Sequence, residues 1–193
     1  SLLEGERFIS LGKEFRKPPK VRDFVAEPKL LVSLGGSDPE NFTDIVLETI
    51  TKQLENFSRV SVVIGPLNSN EAELRQKYSD HEINWITSPE SLFDVYEKHD
   101  VAIGAGGTSA YERVNRNLPS INLVTTENQI RVVEGLENYG LALGVDCRSE
   151  PFFPKGAVSH LLNGNETEKV RIEGFKIIDG RGADRLVEYL AAN

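Results

Sequence analysis

Short apolar runs alternate with amphipathic segments along most of the chain. The run Leu30-Leu31-Val32-Ser33-Leu34 has the length of a strand and ends at Gly35-Gly36. Continuous apolar runs of this length are typical of strands buried on both faces. Comparable runs cover residues 60–64, 83–86, 101–103 and 119–124, with a weaker one at 141–145.

Helical periodicity fills the segments between these runs. Phe42, Ile45, Val46 and Thr49 recur at intervals of three and four residues, the spacing of one helical face. Ser37, Asp38 and Asn41 precede them as candidate helix caps. Similar patterns predict helices at 70–78, after Pro89, at 108–115 and 128–138, and from residue 151 with breaks at Gly164 and 179–182. Because proline suits the first turn of a helix, we expect Pro89 to open its helix.

The alternation of strands and helices determines the fold class. Strands separated by helices of this length need crossovers between parallel neighbours, and right-handed crossovers place helices on both faces of the sheet. The sequence therefore predicts an α/β fold with a doubly wound, Rossmann-like parallel sheet. Ligands bind such sheets beyond the carboxyl ends of the strands. The loops to inspect are 35–38, 65–69, 87–89, 104–109 and 125–129.

The first 28 residues differ from the rest of the chain. Residues 1–28 show no clear period and contain Pro18-Pro19 and Pro28, so they are interpreted as a linker or extension from a preceding domain, without a core element. Residues 29–193 form the predicted ligand-binding domain. The chain contains no methionine, which indicates excision from a longer protein or, alternatively, removal of an initiator residue. We favour excision.

Composition and charge exclude several classes of function. The hydrophobic fraction of 39% and charged fraction of 27% are those of a soluble globular protein. A net charge of -8 with scattered lysines and arginines argues against nucleic-acid binding. No apolar run has membrane-spanning length, so we expect no membrane insertion and a cytoplasmic location. The single cysteine, Cys147, leaves no internal disulfide and no thiolate metal cluster.

The loop Gly104-Ala105-Gly106-Gly107-Thr108-Ser109 is the first candidate site. It lies between a predicted buried strand and a helix, where free backbone N–H groups and the positive helix end attract anions. It is interpreted as a diphosphate cradle, in which Thr108 and Ser109 cap the helix or donate hydroxyls to phosphate. An ordinary strand-to-helix turn is the alternative.

Other polar positions next to the strands extend this candidate site. Glu112 lies one helical turn after Thr108, where it can accept ribose hydroxyls or serve only the helix dipole. Gly35, Gly36 and Ser37 repeat the glycine-loop arrangement at the first strand, again with a turn and cap as the alternative. Asn128 and Gln129 follow another strand and can bind sugar or phosphate, or cap a helix.

Several common chemistries have no supporting motif. His81, His99 and His160 lack ligand spacing and are interpreted as surface or structural residues. No Walker-type lysine follows the glycine loops and no GxGxxG opens the first helix, which disfavours ATP hydrolysis and a dinucleotide cofactor. We predict no metal, no cofactor and no catalytic residue in this chain.

Four segments carry a resemblance to a known family. They are 31–39, 104–112, Leu118-Pro119-Ser120 with Glu127-Asn128-Gln129, and 179–185. In these segments the chain resembles the C-terminal domain of the UDP-sugar hydrolases of pseudaminic acid biosynthesis and the related spore-coat polysaccharide proteins. It departs from that family at Gly12, where arginine is usual.

This resemblance implies a GT-B architecture and a set of roles. Gly106, Gly107, Thr108 and Ser109 would hold the diphosphate of a UDP-sugar and Glu112 its ribose. The loop at Thr87 and Ser88 would face uracil, and Asn128 and Gln129 the diphosphate or sugar. Gly35, Gly36 and Ser37 complete the predicted UDP-binding set. The histidine that activates water would come from an N-terminal domain of the same parent chain.

Three functions remain open at this point. The leading hypothesis is the UDP-binding domain of a GT-B-type UDP-sugar hydrolase in bacterial surface-sugar biosynthesis, inactive by itself. The first alternative is the donor-binding domain of a GT-B glycosyltransferase, and the second is a non-catalytic nucleotide-sugar-binding module. The short loop Gly36-Ser37-Asp38-Pro39 favours the hydrolase.

Overall fold

The core of the protein is a parallel sheet of six strands. A computed structural model describes residues 5–192, so residues 1–4 of the predicted extension and Asn193 lie outside the described part. The strands are β1 (Lys29–Ser33), β2 (Arg59–Ile64), β3 (Ile83–Thr87), β4 (Val101–Ala105), β5 (Ser120–Val124) and β6 (Leu143–Asp146).

Helices connect the strands and complete the C-terminal part of the described chain. They are α1 (Phe42–Ile50), α2 (Glu71–Lys77), α3 (Phe93–Glu97), α4 (Thr108–Asn115), α5 (Ile130–Asn138), α6 (Ala157–Leu161), α7 (Gly164–Ile177) and α8 (Gly182–Ala192). The prediction that Pro89 opens a helix is wrong, since α3 begins only at Phe93. Pro89 instead follows a left-handed turn at Ser88, whose φ is 44°, and the non-helical residues 90–92 separate it from α3.

The strand order is β3-β2-β1-β4-β5-β6, and each neighbouring pair is parallel. From β1 the chain moves outward to β2 and β3, whereas from β4 it moves in the other direction to β5 and β6. The sheet is therefore doubly wound about the junction of β1 and β4, and the predicted fold class is confirmed.

Alternate residues of β1 enter the cores on opposite faces of the sheet, as the two-residue period of a strand requires. Leu30 and Val32 belong to the larger core, with side chains from α1, α2 and α6. Leu31 belongs to a second core on the other face with Tyr96 of α3. Helices thus cover both faces, which explains why the strands read as continuous apolar runs.

The described part of the N-terminal extension packs onto the domain. Phe15 is 3% exposed and belongs to the second core, so the expectation that residues 1–28 lack a core element is wrong there. Arg22 is 7% exposed, and its guanidinium donates to the carbonyls of Tyr96 at 2.7 Å, Arg116 at 2.8 Å, and His99. These carbonyls lie near the ends of α3 and α4, so Arg22 anchors the extension there.

The segment 179–185 holds the same extension from the C-terminal side. Arg185 pairs with Asp179 at 2.5 Å and donates to the carbonyl of Arg7 at 2.9 Å. At Gly182, an added Cβ would lie 2.2 Å from the carbonyl oxygen of Ile9. This clasp, formed by 179–185 and residues 7–16, explains the glycines and charged residues of the fourth family-like segment as structural groups.

Gly174 allows α7 to pack directly on α4. A Cβ at this position would lie 2.3 Å from the backbone carbonyl oxygen of Val114, which has no freedom to move aside. Gly174→Ala is therefore expected to lower the free energy of unfolding by about 1–3 kcal/mol. The same change in an unobstructed helix would instead favour folding by roughly 1 kcal/mol. Urea denaturation measures the difference.

Gly156→Ala is the matched control, because an added Cβ there meets nothing within 4 Å. We expect its stability to stay within about 0.5 kcal/mol of the parent chain. Equal stability of the two variants would show that α7 does not pack against Val114 as described.

Candidate functional site

A cleft of about 390 Å³ opens where the loops after β1, β4 and β5 meet. Its position at the junction of β1 and β4 is the one at which doubly wound sheets bind ligands. Several residues of the predicted UDP-binding set line it, namely Gly35, Gly36, Ser37, Gly107, Ser109 and Gln129. Asp38, Glu40, Thr125 and Thr126 also form its walls, although the predicted UDP-binding set does not include them.

The N-terminus of α1 at this cleft is already occupied by Asp38. Its carboxylate accepts hydrogen bonds from the backbone N–H of Phe42 at 2.8 Å, and from the N–H and hydroxyl of Thr43 at 2.9 and 2.6 Å. A carboxylate at this position satisfies the first amides and neutralises the positive helix end. The first glycine loop therefore presents a capped helix to the cleft.

The N-terminus of α4, in contrast, is open. Its N-cap, Gly107, makes no side-chain cap. Within residues 5–192, no group accepts a hydrogen bond from the backbone N–H of Gly107, Thr108 or Ser109. These donors lie at the positive end of the helix, the arrangement that binds phosphate. The two glycine loops, equivalent in sequence, thus differ in what they offer an anion.

Gly106 has a structural position within the second loop. Its N–H donates to the carbonyl of Leu123 at 2.8 Å, so it is not available to a ligand. An added Cβ would lie 2.6 Å from Val133 Cγ2 and 3.1 Å from the same carbonyl. Glycine at this position lets the loop approach β5 and α5, behind the wall of the cleft.

Four other members of the predicted set lie outside the cleft. The hydroxyl of Thr87 bonds to Glu71 at 2.8 Å and accepts from Arg75 at 2.9 Å, next to α2. Ser88 follows it in the left-handed turn. Asn128 accepts from the hydroxyl of Thr126 at 2.7 Å and lines a separate hollow with residues of α5. Thr108 is exposed and also lies outside the lining.

Gln129 reaches the cleft wall from the third loop. Its Oε1 accepts from the backbone N–H of Thr125 at 2.9 Å and from the Thr125 hydroxyl at 3.3 Å. These contacts hold the side chain over the loop and leave its NH₂ group as a donor at the cleft.

Glu112 lies on α4 beyond the lining of the cleft and is half-buried. Its Oε2 accepts from the hydroxyl of Tyr96 at 3.1 Å. Burial raises the pKa of Glu112 because it removes water from the charged form, and the Tyr96 hydrogen bond and the Arg113 charge offset only part of this shift. Burial likewise raises the pKa of Tyr96, so its hydroxyl remains a donor at neutral pH.

Two residues that the sequence analysis missed lie behind the second glycine loop. Arg113 is fully buried and donates to Asn122 Oδ1 at 2.6 Å. Two signals of this pair are visible in the sequence. Asn122 is a polar residue inside the apolar strand β5, and Arg113 lies four positions, about one helical turn, after Ser109.

Histidines lie outside the cleft. His99 is buried and its Nδ1 lies 2.7 Å from the Val95 carbonyl; burial lowers its pKa. His160 lies near Glu166 in a second hollow of about 270 Å³ at the amino ends of β5 and β6, which holds no member of the predicted set.

In the part of the chain that the structure describes, no cluster of three or more histidine, cysteine or acidic side chains is placed to hold a metal ion. Within the same range, no helix combines the length and apolar character that a membrane crossing requires.

Comparison with known proteins identifies the fold. No known family profile matches the chain. An uncharacterized protein of Methanocaldococcus jannaschii is 29% identical over 133 residues, which is 65% of this chain and 27% of that protein. Among solved structures, MurG of Acinetobacter baumannii superposes with a TM-score of 0.67 at 13% identity, covering 93% of this chain and 52% of MurG.

Two further structures carry nucleotides. Spinosyn rhamnosyltransferase SpnG complexed with thymidine diphosphate has a TM-score of 0.61 at 14% identity, covering 87% of this chain and 46% of SpnG. Os79 from O. sativa in complex with UDP has a TM-score of 0.62 at 12% identity, covering 88% of this chain and 41% of Os79. This chain therefore shares its fold with one part of each of these structures, and it spans about half their length.

The raised pKa of Glu112 gives a testable dependence of stability on pH. When a carboxyl group has a higher pKa in the folded state than in the unfolded state, the protein becomes less stable as the pH rises from the unfolded to the folded pKa. Glu112→Gln removes this loss and keeps an oxygen to accept from Tyr96. We expect the variant to be more stable than the parent chain at about pH 8, with the difference shrinking toward about pH 4. Urea denaturation at several pH values measures it.

Glu55→Gln, at an exposed carboxylate, is the control and should follow the parent chain at each pH within about 0.5 kcal/mol. A Glu112→Gln variant that is less stable than the parent chain at high pH would contradict the account, because it would mean that the fold favours the carboxylate at this position.

Proposed function

We propose that this chain is the donor-binding domain of a GT-B-type enzyme that acts on a UDP-sugar. The observation that carries the proposal is the uncapped N-terminus of α4, which presents the amides of Gly107, Thr108 and Ser109 at the junction of β1 and β4. Free amides at a positive helix end fit a diphosphate better than a neutral ligand.

The diphosphate would bind at these amides, with the hydroxyl of Ser109 and the amide NH₂ of Gln129 as further donors at the cleft wall. Asp38 argues against a phosphate on the opposite wall, because its carboxylate already satisfies α1 and repels anions. The sugar is uncharged and is not repelled by this carboxylate, so it would lie toward Gly36 and Ser37.

The nucleoside would extend along α4 beyond the cleft. Glu112 lies in that direction, and with Oε2 held by Tyr96 its Oε1 is left to accept a ribose hydroxyl. The assignment of the base as uracil, near Thr87 and Ser88, rests on the resemblance seen in the sequence. Because the Thr87 hydroxyl is engaged by Glu71 and Arg75, contacts to the base would come from backbone groups of this loop.

Transfer of the sugar to an acceptor is better supported than its hydrolysis. The rhamnosyltransferase with thymidine diphosphate shares this fold, which supports the transferase alternative. The UDP-sugar hydrolase remains the second candidate, favoured by the short loop Gly36-Ser37-Asp38-Pro39. Incubating a parent protein with UDP-sugars, with and without acceptor, separates the two reactions.

A partner domain belongs to this proposal. Since the chain covers 52% of MurG and 46% of the rhamnosyltransferase, a second domain, N-terminal in the same parent chain, would close the cleft and orient the sugar. A cytoplasmic location and a role in bacterial surface-sugar synthesis are part of the same proposal.

The chain should bind UDP at least about tenfold more tightly than UMP, a difference of about 1.4 kcal/mol. The second phosphate adds charge at the open amides of α4, whereas UMP leaves part of them unfilled. Calorimetric titration with UDP, UMP and uridine measures the order. Equal affinity for UDP and UMP would show that the site does not recognise the second phosphate and would contradict the proposal.

The chain alone should release no UDP from a UDP-sugar that it binds. General-base assistance contributes roughly 10²–10⁴-fold to such reactions, and it needs a free base within hydrogen-bond reach. Asp38 already accepts three hydrogen bonds, Glu40 is exposed, and the histidines lie elsewhere. The assay compares UDP release by this chain and by a parent protein containing it. Comparable rates would place the catalytic groups within these residues.

A further inference from the structure

Arg113 lies directly behind the loop of the proposed diphosphate site. Side chains on a helix lean toward its N-terminus, so Arg113 reaches back along α4. Its guanidinium donates to the carbonyl of Ala105 at 2.8 Å, to Asn122 Oδ1 at 2.6 Å and to Ser109 Oγ at 3.2 Å. The close approach depends on Gly104, where an added Cβ would lie 2.5 Å from the Arg113 NH1 group.

Arg113 forms no salt bridge in the described chain, and the Glu112 carboxylate acts on its charge only from a longer distance. Its side chain is 0% exposed, and in the described chain no carboxylate oxygen lies within 4.0 Å of it. All three acceptors are neutral, and its Nε has no hydrogen-bond partner. Burial lowers the pKa of Arg113, and Tyr96 and the Glu112 carboxylate offset only part of this shift. An arginine nevertheless keeps its charge inside proteins. Burying an unpaired charge is costly, so such a group needs a compensating role.

Arg116, the C-cap of α4, shows how a buried arginine is usually stabilised. It is equally buried, but it pairs with Glu97 at 3.5 Å, and its guanidinium lies 4.8 Å from the ring centre of Phe93. The two arginines are therefore equally buried, but only Arg116 forms a salt bridge with a carboxylate of the protein.

We infer that Arg113 is a positioning residue whose counter-ion is the diphosphate of the bound nucleotide, and that it acts through Ser109 and the loop 105–109 without touching the ligand. This inference rests on the proposed function. The guanidinium fixes the loop through Ala105 and Ser109, and its charge adds to that of the helix end, unscreened by water. Affinity for the charged part of the ligand, and not for the nucleoside, then depends on Arg113.

The decisive variant is Asn122→Asp, because it gives Arg113 an internal counter-ion at the position of the 2.6 Å hydrogen bond. It keeps the shape of the side chain and retains Arg113. We expect UDP affinity to fall about tenfold or more while uridine affinity changes less than about threefold. A residue that only braced the loop would be held as firmly by aspartate, and UDP affinity would not fall.

Arg113→Gln and Arg113→Lys provide the second test. Loss of the charge should weaken UDP by about tenfold or more and uridine by less than about threefold, whereas lysine should retain most of the UDP affinity. Arg116→Gln is the matched control and should leave the ratio of UDP to uridine affinity unchanged. Because the charge is buried, the loss in Arg113→Gln should be similar at low and high salt.

The outcomes distinguish a failure of the proposed function from a failure of the role inferred for Arg113. If the parent chain itself binds UDP no better than uridine, the proposed function fails, whatever Arg113 does. If the parent chain prefers UDP and both Asn122→Asp and Arg113→Gln keep that preference, only the role of Arg113 is refuted. If Arg113→Gln does not fold, the folded Asn122→Asp variant still decides. If Arg116→Gln reduces the preference equally, the effect belongs to the helix as a whole and the inference is overturned.

Discussion

The cleft exists because β1 and β4 are adjacent while the connections that leave them run in opposite directions. The loops after these strands diverge and leave an opening at the carboxyl edge of the sheet, and the N-termini of α1 and α4 both point into it. Only one of the two helix ends is free, since Asp38 closes α1. The polarity of the site follows from this asymmetry, in a chain whose net charge is -8. Local donors, and not overall charge, create the place for an anion.

Most of the fold follows from local sequence pattern. The strand runs were predictable because buried parallel strands read as apolar runs. The start of the helix 108–115 was predictable because Gly107 directly precedes α4. The start of α3 was not, because proline permits a first helical turn without requiring one, and the chain passes through the non-helical residues 90–92 before Phe93. The contribution of Phe15 to the core was hidden as well. Its burial depends on distant elements, α3 and the clasp, and residues 1–28 show no helical or strand periodicity that would predict it.

The candidate site was predictable as a set of loops but not as a set of contacts. Glycine pairs next to strands identify both loops, whereas the direction of each amide depends on the neighbouring strand. Gly106 donates to Leu123, and Asn128 turns away toward Thr126. The difference between the capped and the open helix depends on the backbone of Asp38, whose φ of 41° aims its carboxylate at α1. Arg113 could not be identified because its importance lies in the absence of a partner, a property of three-dimensional packing.

The clasp between the segment 179–185 and residues 7–16 has a consequence for how the protein assembles. The hydrogen bond from Arg185 to the Arg7 carbonyl joins positions 178 residues apart. Closing so long a loop costs more chain entropy than any pairing of neighbouring strands, so we expect these contacts to form after the sheet. Much of the clasp is held by exposed or half-exposed ion pairs such as Arg16 with Asp184. Amide hydrogens in this region should therefore exchange through local opening, well before those of β1 and β4, which exchange only when the whole domain unfolds.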